Sequence, residues 1–252
     1  MAGMNLNVGI RDLKRGTNIS TIAVPEQLRK RYKTGLEFFD TGVGEGLVPS
    51  SVMMLTGTPG AGKTTLLLQL ADSITRAGHI CLYNTGEESL YQVKMVTERL
   101  KLKSGFVCGQ DTMVDNLLEH ADYLRKENPN KQVYVLQDSL QTLDDGKYKD
   151  GTNSVTPLRC AEMLTEWAKT NFTNVIFIGQ VNKDGSFNGK NAILHAVDIR
   201  GALYIDQDKK SETFGERIFE VSKNRYGPSG IAHVLGMSAS GLYERGTVNW
   251  NG

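Results

Sequence analysis

The octet Gly57-Thr58-Pro59-Gly60-Ala61-Gly62-Lys63-Thr64 (residues 57–64) stands between two segments of different periodicity. Before it, SVMMLT (51–56) is a short apolar run that predicts a buried strand. After it, residues 63–77 place Leu66, Leu67, Leu70 and Ile74 on one helical face, and Gly78 supplies a stop. The octet satisfies G-x-x-x-x-G-K-[ST] in full, in the strand–loop–helix setting that this pattern requires. Glycines there let backbone amides close around phosphate oxygens, and the helix N-terminus adds positive potential. Lys63 is placed to reach the β- and γ-phosphates, and Thr64 offers a hydroxyl to magnesium. The predicted nucleotide-binding set is therefore Gly57, Thr58, Pro59, Gly60, Ala61, Gly62, Lys63, Thr64 and the following Thr65. ATP and Mg2+ are the implied ligands.

Outward from the octet, strand-like and helix-like patterns alternate. HICLYNT (79–85), GFVC (105–108), QVYVLQ (132–137) and NVIFIG (174–179) read as strands. Residues 88–101 carry Leu90, Val93, Val96 and Leu100 at helical spacing, and Val114, Leu117, Leu118, Ala121 and Leu124 form a second stripe. Thr156-Pro157 predicts a helix opening, with Thr156 as N-cap and Pro157 as first residue. From residue 201 onward ALYI, RIFEV and AHVLGM read as strands. This order predicts an α/β fold, a mostly parallel central sheet flanked by helices with antiparallel strands added at the C-terminal edge. Residues 1–33 are polar and weakly patterned and predict an arm: seven cations (Arg11, Lys14, Arg15, Arg29, Lys30, Arg31, Lys33) face two acids (Asp12, Glu26). The predicted division is an arm at 1–33 and one domain at 34–252.

Composition narrows the class. With 252 residues, 39% hydrophobic and 23% charged, the chain has material for a large core and no signature of disorder. A net charge of +1 means that any surface for a polyanion is local. Cys81, Cys108 and Cys160 are far apart and form no C-x-x-C pair, which argues against zinc or a disulfide framework. No apolar run approaches the ~20 residues that span a bilayer, so no membrane role and a cytoplasmic location are expected.

A phosphate-binding loop needs a second carboxylate to orient the metal and a group to activate water. Asp138, at the end of QVYVLQ, is the expected metal-side residue beside Thr64. Glu87 and Glu88 follow the second strand at its carboxyl end, where ligands of such sheets gather. Glu87 is the expected catalytic carboxylate, and Glu88 is the alternative or simply the start of the next helix. Gln180 ends NVIFIG within reach of a γ-phosphate. The loop VNKDGSFNGKN (181–191) offers Lys183 and Lys190 for phosphates and Phe187 for stacking on bases, which suits single-stranded DNA. DDGKYKDGTNSV (144–155) offers Lys147, Tyr148 and Lys149 as a second such loop. Lys223 and Arg225, in VSKNRYGPSG (221–230), lie two apart on a predicted strand and so share a face.

TGLEFFDTGVGEGLVPSSVMML (34–55), LYNTGEESLYQVKMVTERL (82–100), DSLQT (138–142), GQVNKDGSFNG (179–189), ILHAVDIRGALYI (193–205) and KNRYGP (223–228) together resemble the RecA-like ATPase core of the RadA/Sms family. The combination GEES-x-x-Q-x-K with KNR-aromatic-G carries most of the specificity. The resemblance implies an ATP-dependent DNA recombination and repair motor that binds single-stranded DNA, assembles as a hexameric ring and extends heteroduplex by branch migration beside a recombinase. A recombinase or a single-strand-binding protein is the implied protein partner. It also implies that Gln180 is the γ-phosphate switch at the start of the DNA-facing loop. Lys223 and Arg225 would reach across a subunit interface into the next copy's ATP. There are three departures, one of them Gly44-Glu45-Gly46, which interrupts a usual glycine run. The four-cysteine zinc finger and protease-like domain usual in the family are not expected here, and Gln137 occupies a strand position that is usually apolar. The alternatives are a replicative helicase motor of the DnaB kind and a regulatory ATPase resembling KaiC that uses no DNA. A small-molecule kinase is more remote, because no arginine-rich lid is evident.

Overall fold

A computed structural model describes residues 18–149, 151–179 and 192–249. Residues 18–30 contain two short 3-10 turns and carry Ile19, Ile22 and Val24 exposed. The predicted arm does not end cleanly at 33. Tyr32 exchanges backbone hydrogen bonds with Leu47, and Arg31 donates to Gly46 O and Tyr226 O. Helix α1 (Glu37–Gly42) follows, with Asp40 accepting from the Thr34 and Gly35 amides.

The core then runs β1 (Val52–Thr56), α2 (Lys63–Arg76), β2 (Ile80–Thr85), α3 (Leu90–Arg99), β3 (Val107–Gly109), α4 (Val114–Glu127), β4 (Val133–Asp138), α5 (Thr156–Asn171), β5 (Asn174–Ile178), α6 (Ala192–Ala196), β6 (Ile199–Ile205), β7 (Arg217–Asn224), β8 (Ile231–Ser238) and β9 (Gly241–Asn249). The strands make one sheet in the order β3-β2-β4-β5-β1-β6-β7-β8-β9. Pairing is parallel from β3 through β6 and antiparallel from β6 through β9. That is the predicted fold class.

The two-residue period of β1 explains both layers. Met53 and Leu55 pack with Leu66, Leu67, Leu70 and Ile74 of α2. Val52 and Met54 face the other way, into the cluster with Leu117, Ala121, Leu164 and Ala168 of α4 and α5. Two local expectations are corrected. The N-cap of α5 is Val155 and Thr156 is already helical; Asn153, just ahead of the cap, accepts from the Val155 and Thr156 amides through its Oδ1. β9 adds a strand beyond those expected, because its glycines and charges hide the alternation; Leu242 is its buried anchor. Among the described residues no helix is long and apolar enough to cross a membrane.

Candidate nucleotide site

The loop between β1 and α2 holds its shape through three glycines with positive φ. Gly57 (φ +148°) leaves β1 so close to β6 that a Cβ would lie 1.7 Å from Leu203 O. Gly60 (φ +76°) faces open space, so conformation rather than crowding selects glycine there. Gly62 (φ +104°) directly precedes α2, and a Cβ there would meet Met237 at 2.8 Å. Thr58, Pro59 and Gly60 are exposed, while Ala61 is buried and its carbonyl accepts from Arg217 Nε at 2.6 Å. Arg217 thus braces the loop from β7, a contact to which no sequence motif points. Thr65 sits half-buried in the first turn of α2.

Lys63 Nζ donates to the Gly57 and Thr58 carbonyls at 2.9 and 3.0 Å, so the ammonium is held over the loop. Burial lowers its pKa and the nearby Asp138 charge opposes that. Thr64 Oγ1 donates to Asp138 Oδ2 at 2.6 Å, and Tyr83 OH donates to the same oxygen at 3.3 Å. Burial pushes the Asp138 carboxyl above its usual range, against the Thr64 hydrogen bond, and Glu87 adds to the rise. A buried carboxylate beside a threonine hydroxyl is a pair of hard oxygen donors whose ionised form a divalent cation would favour, so these residues fit magnesium.

Parallel register brings the carboxylates together: Thr85 of β2 pairs with Asp138 of β4, so the segments leaving both strands emerge side by side. The amides of Glu87 and Glu88 both donate to Thr85 Oγ1 at 3.3 Å. Glu87 is exposed, and its Oε1 accepts from Ser139 Oγ at 2.9 Å. Glu88 is half-buried, and its Oε2 is enclosed without a hydrogen bond. Burial first, then Asp138 and Glu87, raise the Glu88 pKa. Ser139 and Tyr83 lie within stretches that carry the resemblance, but only the pairing of β2 with β4 reveals their place in the site.

Gln180 and the loop 181–191, with Lys183, Phe187 and Lys190, are outside the described residues. Lys147, Tyr148 and Lys149 are exposed on the segment that follows Asp138, with the Arg159 guanidinium 5.1 Å from the Tyr148 ring centroid. Lys223 Nζ donates to Leu194 O and Val197 O at 2.8 and 2.6 Å. Arg225 donates to Asp198 Oδ1 and His195 O, each at 3.1 Å. Both cations therefore converge on one segment of their own chain. They lie at the end of the sheet opposite the loop: Asn224 pairs with Ile199, which pairs with Met53 near the start of β1. At ~3.3 Å per residue, the length of β1 separates them from their own phosphate loop.

The chain matches the family model "ATPase: KaiC" over residues 32–234. It is similar to the DNA repair protein RadA of Haemophilus influenzae, with 35% identity over 216 residues, 85% of this chain and 44% of that protein. The Escherichia coli DNA repair protein RadA is 31% identical over 245 residues, 97% of this chain and 50% of that protein. The chain thus spans about half the length of the curated relatives it matches. Among solved structures, a DnaB-like replicative helicase superposes with a TM-score of 0.72 at 16% identity, covering 83% of this chain and 61% of that one. A second solved structure, an isolated ATPase domain, gives 0.73 at 16% identity, covering 86% and 92%. At that identity the two structures speak to fold alone.

Proposed function

The chain belongs to the KaiC family of ATPases and carries a RadA-type RecA-like core, and from that premise we propose an ATP-driven motor of DNA recombination and repair. It binds single-stranded DNA and hydrolyses ATP where two copies meet. The observation that carries this reading is the grouping of Lys63, Thr64, Asp138 and Glu87 around one loop while Lys223 and Arg225 lie at the far end of the sheet.

In this reading Lys63 exchanges the Gly57 and Thr58 carbonyls for β- and γ-phosphate oxygens. Thr64 and Asp138 hold magnesium, which neutralises charge on the phosphates when bound. Glu87, aimed by Ser139, orients the attacking water on the γ-phosphate. Lys223 and Arg225, too far from their own loop, act on the nucleotide of an adjacent copy in a hexameric ring. Gln180 passes the state of the γ-phosphate to loop 181–191, where Lys183 and Lys190 hold DNA phosphates and Phe187 stacks on a base.

The test is the ATPase rate with and without single-stranded DNA, on protein whose mass in solution is measured alongside. Stimulation by DNA, with affinity falling steeply as salt rises, supports the motor reading. A rate indifferent to DNA, and an affinity flat with salt, would favour a KaiC-like regulatory ATPase. Unwinding of a forked duplex without any strand-pairing activity would favour the DnaB-like reading.

A further inference from the structure

Gln137 departs from the apolar residue that the resemblance leads one to expect, and it is fully buried in β4. Its cross-strand partner in β2 is Asn84, equally buried. Asn84 Nδ2 donates to Gln137 Oε1 at 2.7 Å. Gln137 Nε2 donates onward to Ser139 O at 2.9 Å and to Thr142 Oγ1 at 3.1 Å. Asn84 also brackets the Asp111 backbone, accepting from its N–H and donating to its carbonyl, each at 2.8 Å. An apolar pair would hold the two adjacent strands together without the cost of burying amides. What this pair adds is a grip on the turn 139–142.

That turn sits directly against the segment bearing Glu87. A Cβ on Gly86 would fall 2.5 Å from Thr142 Cβ, so the Gly86 backbone packs on the Thr142 side chain with no space to spare. Across the contact, Ser139 Oγ meets Glu87 Oε1 at 2.9 Å. We propose that Asn84 and Gln137 are a positioning pair for ATP hydrolysis: they fix turn 139–142 against Gly86 so that Ser139 aims the Glu87 carboxylate. This rests on Glu87 being the water-orienting residue. The pair never touches substrate and acts through Ser139.

The test uses the full chain with Gln137→Met, Ser139→Ala and both together, assayed well below the unfolding temperature of every variant. Methionine keeps the volume and removes the grip on the turn. The expected result is unchanged affinity for a non-hydrolysable ATP analogue, and a kcat about tenfold lower in each single variant. The double variant should be no slower than the slower single one, because both changes break the same link. Losses that multiply in the double variant, or a Gln137→Met protein with less stability but the parent kcat, would overturn the proposal in favour of a purely structural pair. Glu87→Gln separates the two levels. If it stalls turnover while Gln137→Met does not, only the positioning role falls; if it turns over at the parent rate, the assignment of Glu87 falls and this role with it.

Discussion

Thr64 and Asp138, 74 residues apart in sequence, are joined by a 2.6 Å hydrogen bond from the threonine hydroxyl to the aspartate Oδ2. The bond links the first turn of α2 to the end of β4, and it gives Asp138 two opposed roles. As a buried acid whose folded pKa is raised, Asp138 weighs against the fold progressively as pH climbs from its unfolded value through the folded one. As the proposed metal-side carboxylate it would work only when ionised. Asp138→Asn should therefore raise the unfolding temperature at neutral pH while abolishing magnesium-dependent turnover. The stability gain should vanish in acid, where the parent residue is already protonated. Thermal melts of both proteins across pH, beside ATPase assays, check this; a variant less stable at every pH would contradict it.

Glu87→Gln should keep nucleotide affinity and reduce turnover by about 10²- to 10⁴-fold. Glu88→Gln should have a much smaller effect, since its Oε2 is enclosed while the Glu87 side chain is exposed at the site. Single-turnover kinetics of the two variants decide between them, and the reverse ranking would transfer the role to Glu88.

Arg225→Ala removes one partner of the buried Asp198, which retains Lys169 at 3.7 Å. Because the Arg225 side chain is 46% exposed, the stability loss should stay near ~1 kcal/mol or below. Turnover should fall about 10³-fold if the guanidinium meets phosphate charge in an adjacent copy. Mixing Arg225→Ala with Lys63→Ala protein should recover activity at interfaces where intact halves meet. A mixture as inactive as its components would refute action between copies.

Gly57→Ala and Gly60→Ala should differ sharply. The first forces a methyl group into Leu203 O and must push the loop off β6, with loss of both nucleotide binding and stability. The second meets no atom and incurs only the cost of a left-handed conformation, about 1 kcal/mol. Nucleotide titrations with melting curves distinguish the two, and equal effects would mean that the approach to β6 is unimportant.

Lys147→Ala combined with Lys149→Ala should weaken single-stranded DNA binding and lower the salt dependence by about two phosphate contacts. Unchanged affinity and slope would leave the DNA contacts to other surfaces.

Much of this molecule is legible in its residues alone. The phosphate loop, the strands on either side of it and the helical faces of α2 and α4 are set by neighbouring residues: glycines with φ that other residues resist, and apolar positions spaced by two or by 3.6. The positions of Asp138 at the end of β4 and of Glu87 two residues beyond β2 are legible for the same reason, from where the apolar runs stop. Strand order is not local. Only the parallel pairing of β2 with β4 brings Ser139 to Glu87 and turns Gln137, an oddity in the sequence, into one half of a buried pair with Asn84. Only the antiparallel return of β7 along β6 places Lys223 and Arg225 at the opposite end of the sheet from Lys63. The chemistry of each residue is written in the sequence; which residues meet is decided by sheet register, because hydrogen-bonded pairing joins positions whose separation along the chain carries no signal of their contact.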